Sequence, residues 1–287
     1  MTARRHTLQC FSPTGLHTLS YKEWGAPDNP NVVICVHGVT RVSDDFDVLA
    51  QALQADYRVI CPDIVGRGQS GRLRNPMDYQ VPQYVSDMVT LLARANAEKV
   101  YWVGTSMGGL IGMALASLPG NPIAKLVLND VGPVLEAEAI ARIAHYISQE
   151  ISFPSFQEAE NYVREVSASF GEHSDAEWEK MTRDVFRLHE DGLWRRHYDM
   201  ALAQPILKST PEMAALAQTM LWAAYDAIQC PTLLIRGELS DLLSLTVAQE
   251  MQQRGPKARL HQFAGVGHAP TFLHTDQIQV VQEFLGE

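Results

Sequence analysis

The sequence predicts an α/β fold: a mostly parallel central sheet with helices on both faces, interrupted by an inserted helical cap. Three observations predict it. Short apolar runs recur that are too short for helices and too continuously apolar for a sheet wetted on one face. Segments of helical period alternate with them, the pattern of βα units. That rhythm breaks between about Pro133 and Trp222, where helical patterns follow one another with few strand signals.

The expected strands, in order, are Val32–Val36, Tyr57–Cys61, Val100–Val103, Lys125–Leu128 and Thr232–Ile235, with a weaker one at Arg259–Phe263. Between them, Pro82–Asn96 places Tyr84, Val85, Met88, Leu91 and Leu92 on one helical face. Met107–Leu118 is apolar nearly all round, which predicts a buried helix, and Leu118-Pro119-Gly120 stops it. Asp276–Leu285 is an amphipathic final helix. Within the break, Ala139–Gln149, Phe156–Phe170, Asp175–His189 and Pro211–Ala223 read as helices. The expected division is therefore a core of residues 1–133 and 223–287, with a cap (lid) at 134–222. A chain of 287 residues accommodates both.

Composition narrows the partners. Basic residues number 23 and acidic ones 33, a net charge of -10, which disfavours nucleic acid and anionic membrane surfaces. Arg4-Arg5 and the Arg72/Arg74 pair are too small to reverse that. Cys10, Cys35, Cys61 and Cys230 form no CxxC pair and no zinc-ligand spacing, so they read as reduced core thiols. MTARRHTLQC has no apolar signal region, and no apolar stretch is long enough to span a bilayer. The default expectation is a cytoplasmic protein acting on a small molecule. The sequence is silent on oligomeric state.

One motif carries chemistry. The run Val100–Val103 leads through Gly104-Thr105-Ser106-Met107-Gly108-Gly109 into the buried helix, which is G-x-S-x-G in a strand–turn–helix context. A nucleophile on so tight a turn adopts strained backbone angles, and glycines two residues to either side remove the side chains that would clash. The hydroxyl then projects above the sheet beside the free N–H groups of a helix start.

At these residues the chain resembles the α/β-hydrolase superfamily, as a serine esterase-like member with a helical cap. The resemblance runs from the strand at Val32 to the final helix and is weakest in the cap. It implies that Ser106 is the nucleophile of a catalytic triad on a nucleophile elbow. His37-Gly38-Val39 matches the family's HG-x turn, so the oxyanion hole would use the N–H groups of Val39 and Met107. His37 itself reads as a structural histidine holding that loop. His268, in the loop Gly265-Val266-Gly267-His268, stands where the family's base lies; His261 and His274 lie in no glycine loop. For the acid, Asp241 follows the strand Thr232–Ile235 at the usual family position. Asp130, at the end of the strand Lys125–Leu128, is the alternative, and Glu238 a weaker third choice.

A second glycine motif competes. Gly66-Arg67-Gly68-Gln69-Ser70-Gly71 matches the dinucleotide fingerprint G-x-G-x-x-G, but it runs into Arg72–Pro76, which has no helical period. Neither a cofactor nor a metal is expected. Serine at the elbow argues against the aspartate-based dehalogenases and epoxide hydrolases that the chain otherwise resembles. It leaves carboxylesterases as the broad expectation, with lactonases, C–C bond hydrolases and perhydrolases as variants on the same triad. A non-catalytic small-molecule receptor on the same fold is the alternative of another class. The cap's Phe153, Phe156, Trp178, Trp194, Met200 and Trp222 read either as an apolar acyl pocket or, more simply, as the cap's own core.

Overall fold

Two apolar faces per strand require two helical layers, and the strand sequences dictate that arrangement residue by residue. The structure, a computed structural model, describes residues 2–97 and 99–287. Its strands are β1 (Arg4–Ser12), β2 (Gly15–Trp24), β3 (Asn31–Val36), β4 (Arg58–Asp63), β5 (Lys99–Thr105), β6 (Ile123–Asn129), β7 (Ser152–Phe153), β8 (Phe186–Leu188), β9 (Trp194–Arg196), β10 (Thr232–Gly237) and β11 (Arg259–Phe263). The main sheet runs β1-β2-β4-β3-β5-β6-β10-β11. β2 pairs antiparallel with β1 and β4, and every pairing from β4 to β11 is parallel.

The helices are α1 (Asp47–Leu53), α2 (Val81–Ala95), α3 (Met107–Ala116), α4 (Ala137–Ser148), α5 (Phe156–Val166), α6 (Asp175–Val185), α7 (Ala203–Leu207), α8 (Pro211–Ala227), α9 (Leu245–Met251) and α10 (Thr275–Gly286). Alternation along β3 shows how they cover the sheet. Val32, Ile34 and Val36 join Met88, Leu91 and Ile111 of α2 and α3 in one core. Val33 and Cys35 join Leu49 and Leu53 of α1 and Phe284 of α10 in the other. Each fully buried side chain of this kind contributes about 1.5–3 kcal/mol. Cys10, Cys35 and Cys61 are buried, Cys230 is half-buried, and all four are free thiols.

The six expected strands are present as β3, β4, β5, β6, β10 and β11. The hairpin β1–β2 was not legible as an apolar run, because it is an antiparallel sheet edge that exposes alternate residues of β1. Between β6 and β10 the chain is mainly helical, as expected, but β7, β9 and β8 form a small antiparallel sheet there. The helix expected over Asp175–His189 stops at Val185 for this reason. Phe186–Leu188 pairs with Trp194–Arg196 instead, across a turn in which Gly192 has φ 81°. The helix expected over Phe156–Phe170 likewise ends at Val166, with a short 3-10 turn at Ala168–Phe170. Phe153, Trp178 and Trp194 pack with Val163, Met181 and Phe186 in a separate small core. Among the described residues no helix is long and apolar enough to cross a membrane.

Packing is close where α3 meets the sheet. A Cβ on Gly108 would sit 2.0 Å from the Val36 carbonyl oxygen, and one on Gly104 would sit 2.3 Å from the Gly108 carbonyl oxygen. Gly120 is different: it has φ 74° and nothing within 4 Å of the added atom. Gly108→Ala is therefore expected to lower the melting temperature by about 10 °C or more, or to prevent folding, whereas Gly120→Ala carries only left-handed strain and is expected to cost about 2–4 °C. Equal losses in thermal denaturation would contradict this reading of the α3 contact.

Candidate active site

Ser106 is the single residue between the end of β5 and the start of α3, and its backbone has φ 52° and ψ −116°. That conformation is strained for any residue with a side chain. Three hydrogen bonds hold it: the Ser106 N–H donates to the Asn129 carbonyl at 2.9 Å, and the Ser106 carbonyl accepts from Gly109 and Leu110 at 2.9 and 3.1 Å. Trp102 Nε1–H donates to the Gly108 carbonyl at 3.0 Å and seats the first turn of α3 on the sheet.

The hydroxyl produced by this turn faces His268, with Ser106 Oγ 3.0 Å from Nε2. On the far side of the ring, Nδ1 lies 2.7 Å from Asp130 Oδ2. Asp130 is fully buried at the end of β6. Its Oδ1 accepts from the Gly237 N–H at 2.9 Å, and its Oδ2 also accepts from Ser240 Oγ at 2.6 Å. Asn129, the preceding residue, donates from Nδ2 to Thr105 Oγ1 at 3.0 Å and to the Pro270 carbonyl at 2.8 Å. It thereby ties the strand of the elbow to the loop that carries His268.

The expectation that Asp241 partners His268 is corrected here. After Gly237 the chain turns tightly, with the Ser240 N–H on the Gly237 carbonyl at 3.0 Å, and it is Ser240 that reaches Asp130. Asp241 is carried outward and pairs with Arg142 of α4; their side chains are 47% and 59% exposed. Burial pushes the Asp241 carboxyl up, but Arg142, and His268 behind it, outweigh that and hold it below the usual carboxylate range. Glu238, the third choice, accepts the Gly265 N–H at 3.0 Å and does not touch His268.

The loop after β3 is held from within. His37 is fully buried, with Nδ1 2.7 Å from the Gly38 carbonyl and Nε2 2.9 Å from the Ile64 N–H. Nε2 must accept, so the proton sits on Nδ1 and the ring is neutral. The glycine-rich segment supplies a residue that sequence reasoning missed. Arg67 is buried and donates to the Val39 carbonyl at 2.8 Å, to the Val65 carbonyl at 2.8 Å, to the Tyr84 hydroxyl at 3.0 Å and to Met107 Sδ at 3.3 Å. It thus touches both residues expected to form the oxyanion hole. The N–H groups of Gly66, Gly68, Gln69 and Gly71 donate to protein oxygens, and a Cβ at Gly68 would lie 2.5 Å from the Asp63 carboxyl carbon. The segment is a packed turn with its donors already used.

Ser106 and His268 open onto a cavity of about 710 Å³. Its walls come from the loop after β3, from the His268 loop and from α4, α5 and α6, with Phe46, Ile143, Tyr146 and Phe272 as apolar surface. None of the six cap residues singled out in the sequence lines it. Phe153, Trp178 and Trp194 serve the small core, and Trp222 packs edge-to-face with Tyr225. Arg41, also missed, lies on the wall, and Asp45 takes its Nε and Nη2 at 2.6–3.1 Å. Burial opposes the Arg41 charge, but Asp45 outweighs it and holds the guanidinium firmly protonated. Asp184, behind this pair, has its carboxyl pushed up by burial to about 6, against the pull of Lys180 at 2.6 Å.

Comparison with known proteins agrees with this architecture. Residues 31–275 match the family model described as the alpha/beta hydrolase fold. A 3-hydroxybutyrate-oligomer hydrolase from Cupriavidus necator is 49% identical over 96% of this chain and 96% of its own. An alpha/beta hydrolase structure from Novosphingobium aromaticivorans has a TM-score of 0.87 and 33% identity, covering 100% of this chain and 99% of its own. A putative hydrolase from Rickettsia typhi has a TM-score of 0.89 and 28% identity over the same shares. The chain belongs to the alpha/beta hydrolase fold family and is a hydrolase.

The buried His37 ring gives a pH signature. Burial pushes its pKa from 6.5 down to about 4, so between these values the unfolded chain binds more protons than the folded one. The stability contributed by the neutral ring is complete above 6.5 and is lost as the pH falls toward 4. His37→Gln, which cannot titrate, is expected to lower the melting temperature near neutral pH and to flatten the fall in stability on acidification. Parallel melting-temperature profiles for the two proteins would refute a neutral, doubly bonded His37.

Proposed function

We propose that this hydrolase cleaves carboxylic esters through an acyl-enzyme, and that its substrates are short linear oligomers of 3-hydroxybutyrate. The observation that carries the reaction is the continuous path from Ser106 Oγ through His268 (3.0 Å and 2.7 Å) to the buried Asp130 carboxylate. The substrate class comes from the relative in Cupriavidus necator and from a cavity large enough for several four-carbon units.

In the first step Ser106 Oγ attacks the ester carbonyl carbon while His268 Nε2 takes its proton. Asp130 holds Nδ1–H and stabilises the imidazolium. The oxyanion accepts the Val39 and Met107 N–H groups. The C–O bond breaks, the leaving alkoxide takes the proton from His268, and an ester of Ser106 remains. Water then attacks this acyl-enzyme as His268 removes its proton; the acid leaves, and the proton returns to Ser106. Residues 134–222 act as a lid, since α4, α5 and α6 wall the cavity above Ser106.

Arg67 is a positioning residue on this reading. It touches no substrate, but it fixes the Val39 carbonyl and the Met107 side chain, and with them the loop and helix start that present the two N–H groups.

Ser106→Ala is expected to abolish fluorophosphonate labelling and to lower turnover of p-nitrophenyl butyrate by about 1000-fold or more. Asp130→Asn is expected to lower kcat by about 1000- to 10,000-fold, and Asp241→Asn by less than about tenfold. If Asp241→Asn instead gives the larger loss, Asp130 is not the acid. For Arg67→Met the expectation is a kcat about 10- to 100-fold lower with KM little changed, partly restored in Arg67→Lys. A loss carried by KM alone would remove Arg67 from this role.

A further inference from the structure

The cavity holds a guanidinium whose free edge has no assigned task. Arg41 lies three residues beyond Gly38, and its stem and Ser106 flank that glycine: a Cβ on Gly38 would lie 3.6 Å from Arg41 Cγ and 3.7 Å from Ser106 Cβ. Asp45 engages Arg41 side-on through Nε and Nη2. Among the described residues Nη1 has no hydrogen-bond partner, and it is not one of the polar atoms sealed from solvent. Asp45 therefore acts as a clamp that fixes the plane of the guanidinium and leaves the end-on edge of this cavity-lining residue open to another partner. That edge has the geometry for a carboxylate.

The other charged groups of the cavity do not offer the same. Arg142 sits at the mouth, half-exposed and held by Asp241. Asp184 is held by Lys180, and Glu165 lies at the exposed rim. The remaining wall near Arg41 is largely apolar, with Phe46, Ile143 and Tyr146. A charge-assisted hydrogen bond made there is worth more than one in water.

We propose that Arg41 is a carboxylate-binding subsite, and that the enzyme acts on the ester next to the free carboxyl end of hydroxyacid oligomers. This rests on the esterase reading above. A 3-hydroxyacid unit places its carboxylate one residue-length from the ester that joins it to the next unit. Arg41 and Ser106 flank Gly38 and line the same cavity, so one such unit is the ligand proposed to bridge them. Binding of the terminal carboxylate at Nη1 would bring the adjacent ester carbonyl to Ser106 and would discriminate against oligomers whose end is esterified.

The test uses binding as well as turnover. In the Ser106→Ala protein, affinities for the linear 3-hydroxybutyrate dimer as free acid and as methyl ester are measured by calorimetry. The free acid is expected to bind about tenfold or more tightly than the methyl ester. Adding Arg41→Gln is expected to erase that ratio, and adding Arg142→Gln to keep it. Because Arg41→Gln leaves Asp45 without its partner, the Arg41→Gln/Asp45→Asn double variant provides a neutral pair of similar shape should the single variant misfold. Equal affinities, no binding of the free acid, or a ratio that survives loss of Arg41 would each overturn the proposal. Turnover of p-nitrophenyl butyrate by the unaltered enzyme tests the esterase reading separately. A subsite that binds without turnover refutes that reading alone, and turnover without acid preference refutes the subsite alone.

Discussion

A carboxylate removed from solvent is costly unless its lone pairs meet donors, and Asp130 meets that condition with groups from three separate segments. The Gly237 N–H comes from the end of β10, the Ser240 hydroxyl from the turn after it, and His268 Nδ1 from the loop after β11. Each donor is bound to its place by the requirement that the carboxylate not be left bare. The left-handed backbone of Asp130, at φ 56°, departs from the line of β6 where the side chain turns to its three partners. Asn129 performs the complementary task toward Thr105 and Pro270. Two consecutive residues at one strand end thus set the register between the elbow and the histidine loop.

What could be read from the sequence followed from local sterics. Ser106 was legible because its turn demands small neighbours in a fixed pattern, and Gly104 and Gly108 meet backbone at 2.3 and 2.0 Å where a side chain would stand. The parallel strands were legible because burial on both faces leaves an unbroken apolar run. The acid was not. Asp130 and Asp241 both follow buried strands in polar turns, and the choice between them lies in which turn lies beside His268, a matter of non-local pairing between β6 and β10. Arg41 and Arg67 were illegible for the same reason. Their significance lies in contacts with Gly38, Val39 and Met107, and nothing in their own neighbourhoods announces it.

The glycine-rich run after β4 shows how a count of residues can mislead. By spacing it matches a phosphate cradle, and a cradle works by leaving backbone N–H groups free. Here those groups are consumed by Gly71, His197, Asp63 and Thr18, and the Asp63 carboxylate fills the space beside Gly68. The glycines are required by the left-handed angles of Gly66 and Gly68, at φ 84° and 55°, and by this close approach. The product of the motif is a rigid seat for Arg67.

That seat bears on the chemistry proposed for Ser106. Among the described residues Arg67 has no carboxylate within salt-bridge reach, and its charge is met only by carbonyls, the Tyr84 hydroxyl and ring, and the Met107 sulfur. Dipoles of this kind satisfy the N–H groups without cancelling the charge. Residual positive potential therefore remains beside Val39 and Met107. An ester carbonyl bound there carries only a partial charge, whereas the tetrahedral state carries a full one, so the same fixed potential acts more strongly on the second than on the first. An interaction that grows along the reaction coordinate lowers the barrier, while one that is constant along it only tightens binding. A buried cation left without a counter-ion is unfavourable for the folded resting state, and in the proposed mechanism its placement beside Val39 and Met107 turns that cost to catalytic use.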